Sequence, residues 1–242
     1  MNNIVLTVHE GWAHLRIARP EKRNALDSPM RLALLEHLAA LSGQARAIVL
    51  TGADGWFCCG ADLKERAQRA AQGLPDVTAP EGIELACTIK TFPGVVIAAV
   101  NGLTLGYGVN LVNCCDLAIA ADGAEFGLPE VQAGGFASMS AATGQLSGIN
   151  RKRIGWLLYS AERLPAATAA TWGLVNEVVA PDALAARAEA LARRIASFEP
   201  AAVRETKAAL AQVPDARHAD WRAAMEDGQT VAARIRQARA AT

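Results

Sequence analysis

The chain has 242 residues, with 24 Lys plus Arg balanced by 24 Asp plus Glu, and is 52% hydrophobic, a figure inflated by alanine. That length suffices for one domain with a sizeable core, or one domain with a helical appendage. The even charge, with no basic run interleaved with aromatics, excludes the footprint of a nucleic-acid binder, and the longest β-branched apolar run, VVIAAV at 95–100, is too short to cross a bilayer.

A small-molecule partner is therefore expected, and neither nucleic acid nor a membrane. The opening MNNIVLTVHEGWAHLRI has no charged segment followed by a long apolar one, so the cytoplasm is the expected location. NIVLTV and WAHLRIA read as a hairpin turning at Glu10-Gly11. DSPMRLALLEHLAAL reads as a helix with Ser28 as N-cap and Pro29 as its first residue, its apolar face carrying Met30, Leu34, Leu38 and Leu41. RAIVLT, VVIAAV and LAIAA at 117–121 are continuous apolar strands. Such strands separated by helices argue a mainly parallel α/β arrangement. From Pro181 onward ALAARAEALARRIASF, PAAVRETKAALAQV and WRAAMEDGQTVAARIRQARA are all helical in pattern. The chain thus divides into an α/β core, residues 1–181, and a helical C-terminal region, residues 182–242.

Cys58, Cys59, Cys87, Cys114 and Cys115 form two vicinal pairs and a singleton, with no C-x-x-C and no Cys/His spacing suited to zinc, so no metal is expected. Adjacent cysteines on an extended chain point to opposite faces, which argues buried, reduced packing residues. A Cys nucleophile would need a histidine brought to it by the fold, and His9, His14, His37 and His218 show no motif. Gly106-Tyr107-Gly108 has Leu111 where a dinucleotide fingerprint needs its third glycine. No phosphate loop and no G-x-S-x-G elbow occur.

Two glycine turns remain, Cys59-Gly60-Ala61-Asp62 after AIVLT and Leu105-Gly106-Tyr107-Gly108 after VVIAAV, each leading into a helical pattern. A helix start leaves backbone N–H groups unpaired, with the positive end of the helix dipole behind them. Two such amides brought together could form an oxyanion hole; alternatively the glycines merely permit tight turns.

RPEKRNALDSPM at 19–30, VLTGADGWFCCGADLKE at 49–65, AAVNGLTLGYGVNLVNCCDLAIAADGAEFGLPEV at 98–131 and TWGLVNEVV at 171–179 resemble, in order and spacing, the signatures of the crotonase superfamily, the enoyl-CoA hydratases and isomerases. The resemblance implies a spiral of strand-strand-helix repeats, a helical C-terminal part used in trimer contacts, and an acyl-CoA thioester substrate, with no cofactor beyond the substrate's own coenzyme A. It implies that the amides of Ala61 and Tyr107 hold the thioester oxygen. Lys22, Arg23 and Ala25 would lie near the CoA nucleotide, with Gly60, Asp62, Leu63, Lys64 and Gly106 also lining the CoA and substrate path. The assembly would be a homotrimer or a dimer of trimers.

Hydratases of this family carry two glutamates at the double bond. Here one position is filled by Glu130 in the PE motif, while the other holds Asn110. Hydration must both activate water and deliver a proton to carbon, tasks an asparagine cannot perform by titration. A double-bond shift needs one carboxylate, and the family's monofunctional isomerases likewise keep only the PE glutamate. The leading expectation is isomerisation of a 3-enoyl-CoA to the 2-enoyl-CoA, Glu130 shuttling the proton and Asn110 orienting substrate or water. Alternatives are 2-enoyl-CoA hydration or another enolate reaction, and a catalytically idle acyl-CoA-binding protein. The segment after Glu130, VQAGGFASMSAATGQL, departs from the family's common continuation and alters a wall of the acyl pocket.

Overall fold

Long apolar runs become the strands of one sheet, and very short segments between them become a second. The computed structural model describes residues 3–212 and, beyond them, residues 222, 223, 225, 226, 229, 230, 233 and 237, which are helical. The helical reading of the rest of 213–242 lies outside the described residues. In chain order the elements are β1 (Ile4–His9), β2 (Trp12–Ile17), α1 (Ser28–Leu41), β3 (Ala47–Gly52), β4 (Trp56–Cys58), α2 (Leu63–Ala71), α3 (Thr78–Thr91), β5 (Val95–Val100), β6 (Leu103–Leu105), α4 (Tyr107–Cys114), β7 (Leu117–Ala121), β8 (Glu125–Gly127), α5 (Ser138–Leu146), α6 (Arg151–Ser160), β9 (Leu164–Pro165), α7 (Ala166–Trp172), β10 (Glu177–Val179), α8 (Leu184–Ala196) and α9 (Pro200–Gln212).

The larger sheet has the order β1-β2-β3-β5-β7-β10. Only the β1–β2 hairpin is antiparallel; the remaining neighbours are parallel, as the continuous apolar strands required. Both faces are buried. Leu15, Ile48, Leu50 and Ala98 join the main core with Met30, Leu34, Leu38 and Leu41 of α1 and Leu85, Ala86 and Ile89 of α3. On the opposite face Trp12, Val49, Ile97 and Ile119 are covered by Leu184, Ala188, Ala192 and Ile195 of α8, spaced at three to four residues. Among the described residues no helix is long and apolar enough to cross a membrane.

The smaller sheet, β4-β6-β8-β9, corrects one sequence expectation. The two glycine turns do not leave AIVLT and VVIAAV directly. Each leaves a three-residue strand of this second sheet, β4 or β6, too short to show any periodicity. The result is the strand-strand-helix repeat implied by the resemblance: β3-β4-α2, β5-β6-α4, then β7-β8-α5. A second correction concerns α1. Asp27, rather than Ser28, is its N-cap, its carboxylate accepting from the Met30 amide at 3.0 Å. Ser28 becomes the first helical residue, and its hydroxyl donates to Glu81 at 2.7 Å.

The C-terminal elements return to the core. Lys207 of α9 donates to Asp116 at 2.7 Å and to the Gly94 carbonyl at 2.9 Å. Met225 is fully buried in the main core, Arg222 pairs with Glu84 at 2.7 Å, and Gln229 donates to Ser138, at the start of α5, at 2.7 Å.

Arg31 ties three helices together from inside. It is 1% exposed, with Nε 2.9 Å from Glu81, a guanidinium nitrogen 3.4 Å from Glu65 and another donating to the Leu26 carbonyl at 2.8 Å. Removing one side of a buried ionic cluster leaves the other side's charge uncompensated. Arg31→Met is expected to lower the unfolding free energy by about 3 kcal/mol, read from the midpoint of urea unfolding.

Candidate active site

The first glycine turn is fixed from both ends. Leu26 spends both its backbone groups on it, its N–H donating to the Gly60 carbonyl and its carbonyl accepting from Asp62 N–H, each at 2.9 Å. In such a parallel bridge the intervening residue, Ala61, turns its own N–H away from Leu26. Asp62 then caps α2, accepting from the amides of Lys64 at 2.9 Å and Glu65 at 3.2 Å, and pairs with Arg19 at 2.9 Å. Burial pushes its carboxyl pKa up, but the Glu65 amide, Arg19 and the Lys64 amide outweigh burial and hold it below the ordinary value.

The second turn starts from Gly106, whose φ of 53° and ψ of −118° suit glycine alone, and α4 begins at Tyr107. The Gly106 N–H donates to the Gly127 carbonyl at 2.9 Å, so β8 steers the turn. As the first residue of a helix, Tyr107 has no intrahelical acceptor for its amide. The two turns abut: a methyl on Gly60, itself at φ 95°, would sit 3.4 Å from the Tyr107 nitrogen. A methyl on Gly106 would sit 3.2 Å from Glu130 Oε1 and 4.0 Å from the Gly60 Cα. The amide-bearing turns of Ala61 and Tyr107 and the Glu130 carboxyl group therefore share one place, although 69 residues separate Ala61 from Glu130 in the chain.

Glu130 lies on the 3-10 turn Pro129–Ala133. It is half-buried, but its Oε2 is sealed from solvent and has no hydrogen-bond partner among the described residues. Burial raises its pKa above 4.5, its own backbone amide only partly offsetting this. A carboxylate with a raised pKa and an unengaged oxygen is suited to taking up a proton.

Asn110 stands one helical turn beyond Gly106 on the same face of α4 and is 1% exposed. Its Oδ1 accepts from the Thr143 hydroxyl, while its Nδ2 has no partner among the described residues. The Tyr107 side chain points elsewhere, its hydroxyl donating to the Gly82 carbonyl of α3 at 2.6 Å.

The remaining expected residues divide. Lys22, Arg23 and Ala25 line the loop beside the first glycine turn, where the Arg23 carbonyl accepts from the Cys59 amide at 3.1 Å. Leu63 and Lys64 are exposed at the start of α2. The Arg23 guanidinium, however, lies 5.3 Å from the centre of the Trp56 ring. It faces a cavity of about 480 Å³ shared with Asn101, Asp122, Glu125 and Arg163, whose lining includes neither Glu130 nor the two amides.

Several site-building residues were not read from the sequence. Asn24, fully buried and at φ 56°, accepts from the Arg19 amide at 2.8 Å and donates to the carbonyls of Ala53 at 3.0 Å and Trp56 at 2.6 Å, pinning the loop to β4. Its signal was an asparagine, a residue that tolerates left-handed backbone, inside a charged loop. Arg19, Asn113 and Thr143 carried no local signal.

Cys58, Cys114 and Cys115 are buried in the main core, and Cys87 packs against it. Burial pushes the Cys58 and Cys114 thiols up to about 12, and Cys115 rises well above its ordinary value for the same reason. Cys59, half-buried, is also raised by burial, against the opposing fields of Arg23 and Arg163. Among the described residues no three His, Cys, Asp or Glu side chains group to hold a metal ion.

Strand-strand-helix repeats that bring two glycine turns together beside one half-buried carboxyl group are the arrangement that the resemblance to the crotonase superfamily implies. Residues 7–234 match the family described as Enoyl-CoA hydratase/isomerase, and the chain belongs to that family. It is 36% identical to the crotonyl-CoA hydratase of Syntrophomonas wolfei over 86% of this chain and 80% of the relative. It is 30% identical to the 2,3-dehydroadipyl-CoA hydratase of Escherichia coli over 88% of this chain and 83% of the relative. The solved structure of an enoyl-CoA hydratase/isomerase from Xanthobacter autotrophicus Py2 superposes with a TM-score of 0.85 at 30% identity, covering 95% of this chain and 86% of that one.

The raised pKa of Glu130 has a sign in stability. Folding binds its proton more tightly than the unfolded chain does, so this stabilisation is complete below 4.5 and is lost as pH rises through the higher folded value. Glu130→Gln cannot titrate. Its unfolding free energy relative to the unsubstituted protein should therefore grow as pH rises from below 4.5 through the higher folded value, measured by urea unfolding at a series of pH values. A pH-independent difference would mean that Glu130 is solvated.

Proposed function

We propose that the enzyme shifts the double bond of a 3-enoyl-CoA into conjugation with the thioester. One observation supports the reading: Glu130, with one carboxyl oxygen sealed from solvent, lies against the Gly106 turn, which abuts the Gly60 turn, and Asn110 stands at the position where the resemblance puts the hydratases' second carboxylate. The Glu130 carboxylate removes a proton from C2, and the freed electron pair moves into the thioester carbonyl to give a dienolate. The amides of Ala61 and Tyr107 hold the enolate oxygen, each donor contributing on the order of 3 kcal/mol. Glu130, now protonated, returns the proton to C4, the carbonyl re-forms, and the double bond lies between C2 and C3. Asn110 orients the substrate or a water molecule without titrating.

In this reading Lys22, Arg23 and Ala25 contact the CoA nucleotide, and Gly60, Asp62, Leu63, Lys64 and Gly106 follow the pantetheine and thioester. The enzyme works in the cytoplasm as a homotrimer or a dimer of trimers, needing no cofactor beyond the coenzyme A of its substrate. Hydration of a 2-enoyl-CoA is the second reading, favoured by the names of the relatives, crotonyl-CoA hydratase and 2,3-dehydroadipyl-CoA hydratase.

Incubation with 2-enoyl- and 3-enoyl-CoA panels in heavy-oxygen water, followed by mass spectrometry, separates the readings. Conjugation at unchanged mass is expected, whereas incorporated label means hydration. No turnover of either panel would leave an idle acyl-CoA-binding protein. Glu130→Gln should retain acyl-CoA binding while losing turnover by about 10²–10⁴-fold, as general acid–base catalysis requires. Retained turnover would remove Glu130 from the chemistry. Asn110→Glu should raise hydration specifically, because the oxyanion donors are backbone groups and the Thr143 hydroxyl can donate to a carboxylate as well as to an amide. A folded, acyl-CoA-binding variant without that gain would count against the assignment of Asn110.

A further inference from the structure

Beyond the reacting centre, α4 and α5 enclose a short polar chain that runs on from Asn110. Asn110 and Asn113 lie one turn apart on one face of α4, and Thr143 faces both from α5. The three are 1%, 4% and 0% exposed. The Thr143 hydroxyl donates to Asn110 Oδ1 and accepts from Asn113 Nδ2 at 3.4 Å, which leaves the outer ends of the chain, Asn110 Nδ2 and Asn113 Oδ1, buried with no partner among the described residues. Reversing the direction of the chain would exchange the two ends, but one donor and one acceptor would still remain. Native interiors supply partners to such groups, so two left open on adjacent turns point to a ligand. Asn113 also borders a cleft of about 260 Å³, with Ser147 and Asn176, yet its unpaired oxygen is sealed from solvent.

The chain lies along the path of the acyl group. Asn110 follows Gly106 on the face that Glu130 approaches, and α5 continues the segment that carries Glu130. Measured from Tyr107, whose amide would hold the thioester oxygen, Asn110 and Asn113 stand about 4.5 and 9 Å along the helix axis, with side chains leaning back toward the helix start. An acyl chain anchored there passes Glu130 with C2 to C4 and meets the asparagines with the carbons beyond.

A hydrocarbon tail would leave both amide ends unpaired, and a carboxylate, which only accepts, would oppose the Asn113 oxygen. A hydroxyl both donates and accepts. We infer that Asn110, Thr143 and Asn113 form an acyl-recognition subsite selecting acyl-CoA substrates with a hydroxyl on C5 or C6. That hydroxyl accepts from Asn110 Nδ2 and donates to Asn113 Oδ1, while Thr143 is a positioning residue that aligns both amides. The inference rests on the acyl-CoA reading of the site.

The test measures equilibrium binding of hexanoyl-CoA, 5-hydroxyhexanoyl-CoA and 6-hydroxyhexanoyl-CoA by calorimetry, with no turnover involved. At least one hydroxylated thioester should bind about 10-fold or more tighter than hexanoyl-CoA, because a site built for a hydroxyl rejects the analogue lacking it. Within each variant the same ratio should fall to near one for Asn113→Leu and Thr143→Val, and Thr143→Ser, which keeps the hydroxyl, should retain it. Equal affinities for all three thioesters in a protein that binds them would overturn the subsite, as would an advantage that survives both Asn113→Leu and Thr143→Val or is lost in Thr143→Ser. Failure to bind any of the three would instead overturn the acyl-CoA reading itself, and the subsite with it.

Discussion

The contact between the Gly60 and Gly106 turns is the constraint on which the rest of the molecule depends. Their Cα atoms approach so closely that a side chain on either would meet the backbone or the carboxylate of the other elements at the site. For two turns more than forty residues apart to meet in this way, β4 and β6 must pair as neighbours, and for that the long strands before them, β3 and β5, must also be neighbours in the larger sheet. The repeat of long strand, short strand and helix is thus the means by which local turns become a shared site. Each repeat delivers a turn that leads into a helix, and at the second of them the first helical residue, Tyr107, has no intrahelical acceptor for its amide.

Around this contact the supporting bonds are polar and buried. Leu26 brackets Ala61, Asn24 anchors the loop before it, and Arg31 joins α1 to the carboxylates of α2 and α3. These bonds contribute modestly to net stability when made, but each is costly to break because its partner would stay buried. Rigidity of the amide pair follows from that asymmetry. The carboxyl group of Glu130 departs from this pattern, since one of its oxygens is buried with no hydrogen-bond partner among the described residues. Its raised pKa and that missing bond have one origin, the removal of water without replacement by a donor.

What the sequence made legible followed from run length. AIVLT and VVIAAV are long enough to read as buried strands, and Met30, Leu34, Leu38 and Leu41 repeat often enough to mark the buried face of α1. β4, β6, β8 and β9 are three residues or fewer and have no period to read; pairing across the fold alone makes them strands. Asp27 and Ser28 are both good capping residues, and the choice between them depends on Glu81, fifty-three residues beyond Ser28. The glycine turns were visible because glycine is a local signal, whereas Glu130 stood out only through resemblance, as one carboxylate among many. Arg19, Thr143 and Asn113 were silent because a buried polar residue is recognised by its partners, and partners are a property of the folded chain.

The bond from Gln229 to Ser138 joins positions 91 residues apart and holds the first residue of α5, the helix that carries Thr143. Since chains fold from the N-terminus during synthesis, the sheets and both glycine turns can assemble before Gln229 has left the ribosome to hold the start of α5. The two glycine turns and the start of α5 therefore belong to different moments of the molecule's birth, and a change at Gln229 would reach α5 while leaving the turns in place.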